Sequence, residues 1–250
     1  MLKVYRVLLF TLGAVFLISA GQLTRYAAKS CEQKQKYQQL AAVVENAPVS
    51  TEPQPEESGF LPGYEELYRQ NNDMVGWIRI EGTNINYPVV QSGQSPNFYL
   101  RHDFEKNYTY YGCPYVQESC DVQTPSDNVI LYGHNMQDNT MFAELTNYKK
   151  RSYWEQHRTL CFDTLTARGE YAVIAAFKGE AAELFPYYDF IDAQTPAEFD
   201  AYVAACKALT PYDIDVTASY GDKLITLSTC EYSGENGRMV VVAKRLTQPE

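Results

Sequence analysis

The chain is poor in positive charge. Its 250 residues include 21 Lys and Arg against 31 Asp and Glu, a formal net charge of -10. Nucleic-acid binding needs a basic footprint, so that class of partner is excluded. Histidine is scarce too: three residues, against six cysteines, and their spacings match no zinc pattern. Cys113 and Cys120, with six residues between them, are too far apart for a CxxC pair. No metal and no other cofactor is expected. Internal repeats are absent. Extremes of composition are absent as well. With 45% apolar and 21% charged residues, wholesale disorder, a collagen and a polytopic membrane protein are excluded. The length is ample for one core and short for two.

What is present in excess is tyrosine, 21 residues, which favours strands and aromatic-lined grooves. Apolarity is concentrated at one end. Val7 to Ala20 (VLLFTLGAVFLISA) carries no charge, and with Gly21 to Leu23 it nears the roughly 20 residues that a spanning helix needs. Three readings fit this run. A cleaved signal peptide would use the small residues Ser19-Ala20-Gly21. A buried core helix lacks any amphipathic surroundings. An uncleaved signal-anchor over residues 1–23 is preferred. Lys3 and Arg6 precede the run, while Arg25, Lys29, Lys34 and Lys36 follow it, so flanking charge does not settle orientation. Residues 24–58 read as a stalk and linker. Thr24 to Val44 is an exposed helix or stalk, and Pro48 to Ser58 (PVSTEPQPEES) is an extended spacer. The folded domain is expected over residues 59–250.

In that domain Tyr64 to Gln70 reads as a short helix. Strand-like runs are Val75–Ile80, Ile85–Val90, Gly112–Gln117, Asn128–Gly133, Leu160–Thr164, Glu170–Phe177, Lys223–Ser228 and Met239–Arg245. Two helices interrupt them. One follows Asp138-Asn139-Thr140, read as N-cap chemistry before MFAELTNYKK, and the other is near Pro196–Leu209. Eight short strands with two inserted helices form no βαβ series. The expected fold is mostly β with inserted helices, in a closed or nearly closed barrel.

Cys230 ends the apolar run that begins at Leu224 and precedes a turn. A cysteine there is either a small buried hydrophobe or a rigidly held thiol facing a cleft. Arg238 lies just past the turn. In a hairpin it returns to Cys230, where a guanidinium favours a thiolate and donates to an oxyanion; on spacing alone it fits a surface charge equally well. His134 ends the run Val129 to Gly133 and reads either as a turn histidine or as a pocket-mouth base. His102 and His157 read as solvated positions.

These residues resemble a known family. Ser228-Thr229-Cys230 within TLSTCEY, with Arg238 opening RMVVVAKR, is similar to the catalytic strand pair of sortases. Ile130 to Leu145 (ILYGHNMQDNTMFAEL) resembles the segment holding the sortase histidine, and the long helix-bearing insertion between Gly179 and Gly221 is most similar to class B sortases. The resemblance runs from about Tyr64 to Leu246 and includes Val75-Gly76-Trp77-Ile78 and Tyr99-Leu100.

It implies an eight-stranded barrel behind N-terminal helices and a single-pass anchor, on the outer face of a Gram-positive cell. It implies a cysteine transpeptidase that cleaves sorting-signal peptides of surface proteins and joins the new carboxyl end to an amine of a lipid II-type cell-wall precursor. Carried over by motif, Cys230 is the nucleophile, His134 the general acid/base and Arg238 the oxyanion-stabilising group. Leu100, Ser228, Thr229 and Glu231 line the substrate groove, and Glu183 to Phe190 covers it. A hydrolase with water as acceptor and a non-catalytic assembly module are the competing readings. An outer-face location permits a Cys113–Cys120 disulfide, although two thiols are preferred. Cys161 and Cys206 read as core, and Asp138 and Asn139 as ordering the turn after His134.

Overall fold

A computed structural model describes residues 2–47, 59–93, 95–180, 184–232 and 236–246. The expected spacer Pro48 to Ser58 lies outside them. The chain divides into two compact units, residues 1–39 and 40–250.

The first unit is helical. Helix α1 (Leu2–Glu45) includes the expected anchor–stalk junction at residues 23 and 24. Among the described residues it is the single helix long and apolar enough to cross a membrane, with a mean hydropathy of 1.9 over its most apolar window and none of that window buried.

The second unit holds the barrel. After the short helix α2 (Tyr64–Gln70) come β1 (Met74–Arg79), β2 (Asn86–Val90), β3 (Tyr115–Val116) and β4 (Asn128–Tyr132). Helix α3 (Arg151–Gln156), β5 (Thr159–Thr164), β6 (Glu170–Glu180), α4 (Pro196–Leu209), β7 (Leu224–Cys230) and β8 (Gly237–Arg245) complete it. The eight strands close in the order β1-β2-β3-β4-β7-β8-β6-β5, so no edge is left exposed. The pairings β2–β3 and β4–β7 are parallel and the rest antiparallel.

Strands β6 and β8 read as continuous apolar runs because both of their faces are covered. One face fills the barrel. The other carries a cluster in which α4 inserts Phe199, Tyr202, Val203 and Cys206, one helical face at spacings of three and four residues. Thr195 caps α4, accepting from the Glu198 amide at 3.3 Å, and Pro196 occupies the first turn.

Three expectations change. Gly112–Gln117 shortens to the two-residue β3: Gly112 takes φ +63, and Pro114 has no amide hydrogen for a ladder. Asp138-Asn139-Thr140 is not a helix cap. The Thr140 hydroxyl donates to Asp138 at 2.6 Å, and the following helix is a 3-10 segment, Ala143–Lys149, begun at Phe142 with no side-chain cap. The histidines read as solvated are half-buried. His102 stacks on Phe98, and a His157 ring nitrogen lies 2.9 Å from the Glu81 carbonyl.

No disulfide joins Cys113 and Cys120. The Cys113 sulfur lies 3.6 Å from the Pro88 carbonyl and the Cys120 sulfur 3.5 Å from that of Asn128. Burial pushes the Cys120 thiol up to about 11 and the Cys206 thiol to about 12, so neither supplies thiolate at neutral pH.

Candidate active site

Alternation along β7 places Leu224, Thr226, Ser228 and Cys230 on one face. The connection between β6 and β7 covers that face step by step. Leu224 lies in the α4 cluster, the Thr226 hydroxyl is 3.2 Å from the Tyr202 hydroxyl, and that of Ser228 is 2.8 Å from the Tyr187 hydroxyl. Among the described residues the covering stops there. Cys230, the next residue on the face, is half-buried at the strand's end. The strand fixes its backbone, and the residue stays partly accessible.

Arg238 is the partner of Cys230 in the antiparallel β7–β8 register. Its Nη1 donates to the Gly237 carbonyl at 3.0 Å and reaches the Cys230 sulfur at 3.8 Å.

His134 comes from the opposite side. The parallel β4–β7 ladder ends at Tyr132↔Ser228, two residues short of both His134 and Cys230. The contacts continue past the ladder. The Gly133 amide donates to the Ser228 carbonyl at 3.2 Å, and the Thr229 hydroxyl donates to the Gly133 carbonyl at 2.7 Å. Asn135 Nδ2 then donates to the Cys230 carbonyl at 2.8 Å, and the Tyr232 hydroxyl to the Asn135 carbonyl at 3.1 Å. Glycine is required at 133, where a Cβ would fall 2.6 Å from the Phe142 ring. It is required also at 112, whose left-handed backbone lies against the Tyr99 and Leu100 carbonyls and the His134 ring.

His134 Nε2 lies 2.8 Å from the Leu100 carbonyl. A carbonyl only accepts, so that nitrogen carries the proton in the neutral ring and Nδ1 is left as base. Burial holds the imidazole pKa below its ordinary 6.5, and the nearby Arg101 charge acts the same way, against the Leu100 hydrogen bond, which favours the cation.

The expected groove residues fall around this centre in different ways. Leu100 is 37% exposed, and its carbonyl serves His134. Ser228 and Thr229 are buried with both hydroxyls engaged inside the protein. Glu231 is buried, and its amide pairs with Gly237 at 2.9 Å. Glu183 lies outside the described residues. From Leu184 to Phe190 the aromatics pack against Phe177, Phe199 and Tyr202, while Gln117 donates to the Tyr188 carbonyl at 3.0 Å. Three residues here were not singled out from sequence. Each had a signal: Asn135 directly follows His134, Tyr187 lies in the segment Glu183 to Phe190 expected over the groove, and Tyr232 ends the TLSTCEY motif. Among the described residues no group of three His, Cys, Asp or Glu side chains is placed to hold a metal.

A closed barrel with a thiol, an imidazole and a guanidinium at one end of three adjacent strands belongs to the class of cysteine acyl-transfer enzymes. Residues 78–246 match the Sortase domain family model. A sortase B of Staphylococcus aureus is 36% identical over 185 residues, covering 73% of this chain and 74% of the relative. A sortase B of Listeria monocytogenes is 32% identical over 187 residues, with the same coverage of 73% and 74%. The structure of a Staphylococcus aureus sortase B–substrate complex superposes with a TM-score of 0.77 at 30% identity, over 88% of this chain and 98% of that one.

The chain belongs to the sortase family. Within it, the chain is a sortase B-type cysteine transpeptidase that cleaves a sorting signal and transfers it to a cell-wall acceptor. It is a single-pass membrane protein, anchored by its apolar N-terminal helix with the catalytic barrel outside the cell.

Proposed function

We propose that Cys230 is the nucleophile, His134 the general acid/base and Arg238 the oxyanion-stabilising group of this transpeptidase. Leu100, Ser228, Thr229 and Glu231 shape the groove for the sorting peptide, the two hydroxyl residues by holding the walls in place. Residues 1–23 form the anchor, 24–58 the stalk and 59–250 the catalytic domain. The acceptor is an amine of a lipid II-type precursor.

The observation that supports this assignment is the register of β7 with both neighbours: Arg238 pairs with Cys230 on β8, and the β4 ladder runs to Tyr132↔Ser228, two residues before His134 and Cys230. The thiol proton passes to His134 Nδ1, and the sulfur attacks the scissile carbonyl. Arg238 donates to the resulting oxyanion. Collapse breaks the carbon–nitrogen bond as His134 returns the proton to the leaving amine, which leaves a thioacyl enzyme. The acceptor amine attacks that thioester, gives a proton to His134 and expels the Cys230 sulfur. Two acyl transfers thus replace one difficult amide exchange.

The experiment is Cys230→Ala with a sorting-signal peptide and an amine acceptor, followed by mass spectrometry. No thioacyl adduct and no ligated product are expected. Undiminished ligation would sink the assignment.

A further inference from the structure

The loop whose Leu100 carbonyl meets His134 carries a row of aromatic rings that the acyl-transfer steps leave unused. Phe98 and His102 stack with centroids 3.9 Å apart and planes 4° apart. His102 meets Tyr108 edge-on at 5.9 Å, Tyr108 meets Tyr110 at 5.8 Å, and the Arg101 guanidinium lies 5.3 Å over the Tyr110 ring. The backbone beneath them is well tied. His102 bridges Tyr108, the Thr109 amide donates to the Arg101 carbonyl at 2.8 Å, and the Asp103 amide to the Asn107 carbonyl at 2.9 Å. Yet Tyr108 and Tyr110 are 65% and 61% exposed. Contiguous rings held in water by an ordered loop mark an interaction surface.

Its position says what it meets. The Leu100 carbonyl of this loop accepts from His134, so the loop that carries the row is anchored at the β4 edge of β7, the edge opposite Arg238 on β8. The leaving amine and the incoming amine both exchange a proton with His134, so both pass on this side. The leaving segment has to depart. The acceptor has to be held, because water competes for the thioester and local concentration decides the winner. A tyrosine presents a negative ring face and a hydroxyl at its rim, which suit the C–H face and hydroxyls of a pyranose ring.

We propose that Tyr108 and Tyr110, backed by Phe98 and His102, form a saccharide platform that seats the sugar of the cell-wall acceptor and thereby delivers its amine to His134. The proposal rests on the amine-transfer role given to His134 above.

The test compares two acceptors with one sorting-signal peptide. One is an amine-bearing muropeptide with its disaccharide, the other the same peptide without sugar. Wild-type enzyme is expected to show the lower KM for the sugar-bearing acceptor. The Tyr108→Ala/Tyr110→Ala double variant should raise that KM about tenfold. It should leave the KM for the bare peptide and the rate of thioacyl formation unchanged. Tyr108→Phe/Tyr110→Phe, which keeps both rings, should stay within about threefold of wild type. Equal losses with both acceptors, slower acylation, no loss with either, or no wild-type preference for sugar overturns the platform. Wild-type enzyme that acylates yet ligates neither acceptor overturns the amine-transfer role itself, and the platform with it.

Discussion

The two edges of β7 hold the two partners of Cys230 by different means. On the β8 side the backbone ladder runs through seven register pairs and includes Cys230↔Arg238 itself. On the β4 side it has five pairs and ends at Tyr132↔Ser228, two residues short of His134. There the alignment is continued by side chains, with Thr229 on Gly133, Asn135 on Cys230 and Tyr232 on Asn135. A ladder made of peptide groups is indifferent to side-chain identity. A staple made of side chains is not. Position should therefore be robust for Arg238 and fragile for His134, while chemistry is demanding for both.

Substitutions can break this contrast at several points. The largest effect is expected at Arg238→Lys. Its backbone pairing survives, so stability should move by no more than about 0.5 kcal/mol. The guanidinium fork is lost, and kcat should fall roughly 100- to 1000-fold in a peptide-cleavage assay.

Asn135→Ala removes the donor to the Cys230 carbonyl and should lower kcat about tenfold, with the KM for the sorting peptide unchanged. Asn135→Asp should not restore it, because a carboxylate cannot donate to a carbonyl. Wild-type kcat in both variants would mean that the ladder alone places His134.

Tyr187→Phe takes the partner from the buried Ser228 hydroxyl, and a urea midpoint should report a loss of about 1 kcal/mol. The smallest effect is electrostatic. Arg101 disfavours the imidazolium, so Arg101→Gln should raise the His134 pKa, read by NMR titration of the ring.

Much of the barrel is legible from local pattern. The helices at Tyr64–Gln70 and Pro196–Leu209 have the bounds that composition and Pro placement suggest, because their determinants lie within a few residues of one another. The strands at 75–80 and 239–245 shift by one or two residues, since ladder ends depend on the partner. The segment after His134 misleads for a reason of the same kind. Asp138 and Thr140 have cap chemistry, but Asn139 and Met141 take left-handed backbone and turn the chain before the 3-10 segment begins.

At the site, the cysteine, the histidine and the arginine each stand at the end of a readable apolar run. Tyr187 is 41 residues from the Ser228 it supports, and Asn135 is 95 residues from the carbonyl it holds, so neither contact is visible in a local window.

By itself the sequence determined the acidic balance that excludes nucleic acid, the single apolar run and the barrel class, because each depends on composition or short-range periodicity; Cys230, His134 and Arg238 were singled out by their resemblance to sortase motifs. Only the tertiary structure decided which way the cover over β7 ends, which nitrogen of His134 is left as base and which side chains continue the ladder. Those depend on groups far apart in the chain, and closure of the barrel brings them to within hydrogen-bonding distance.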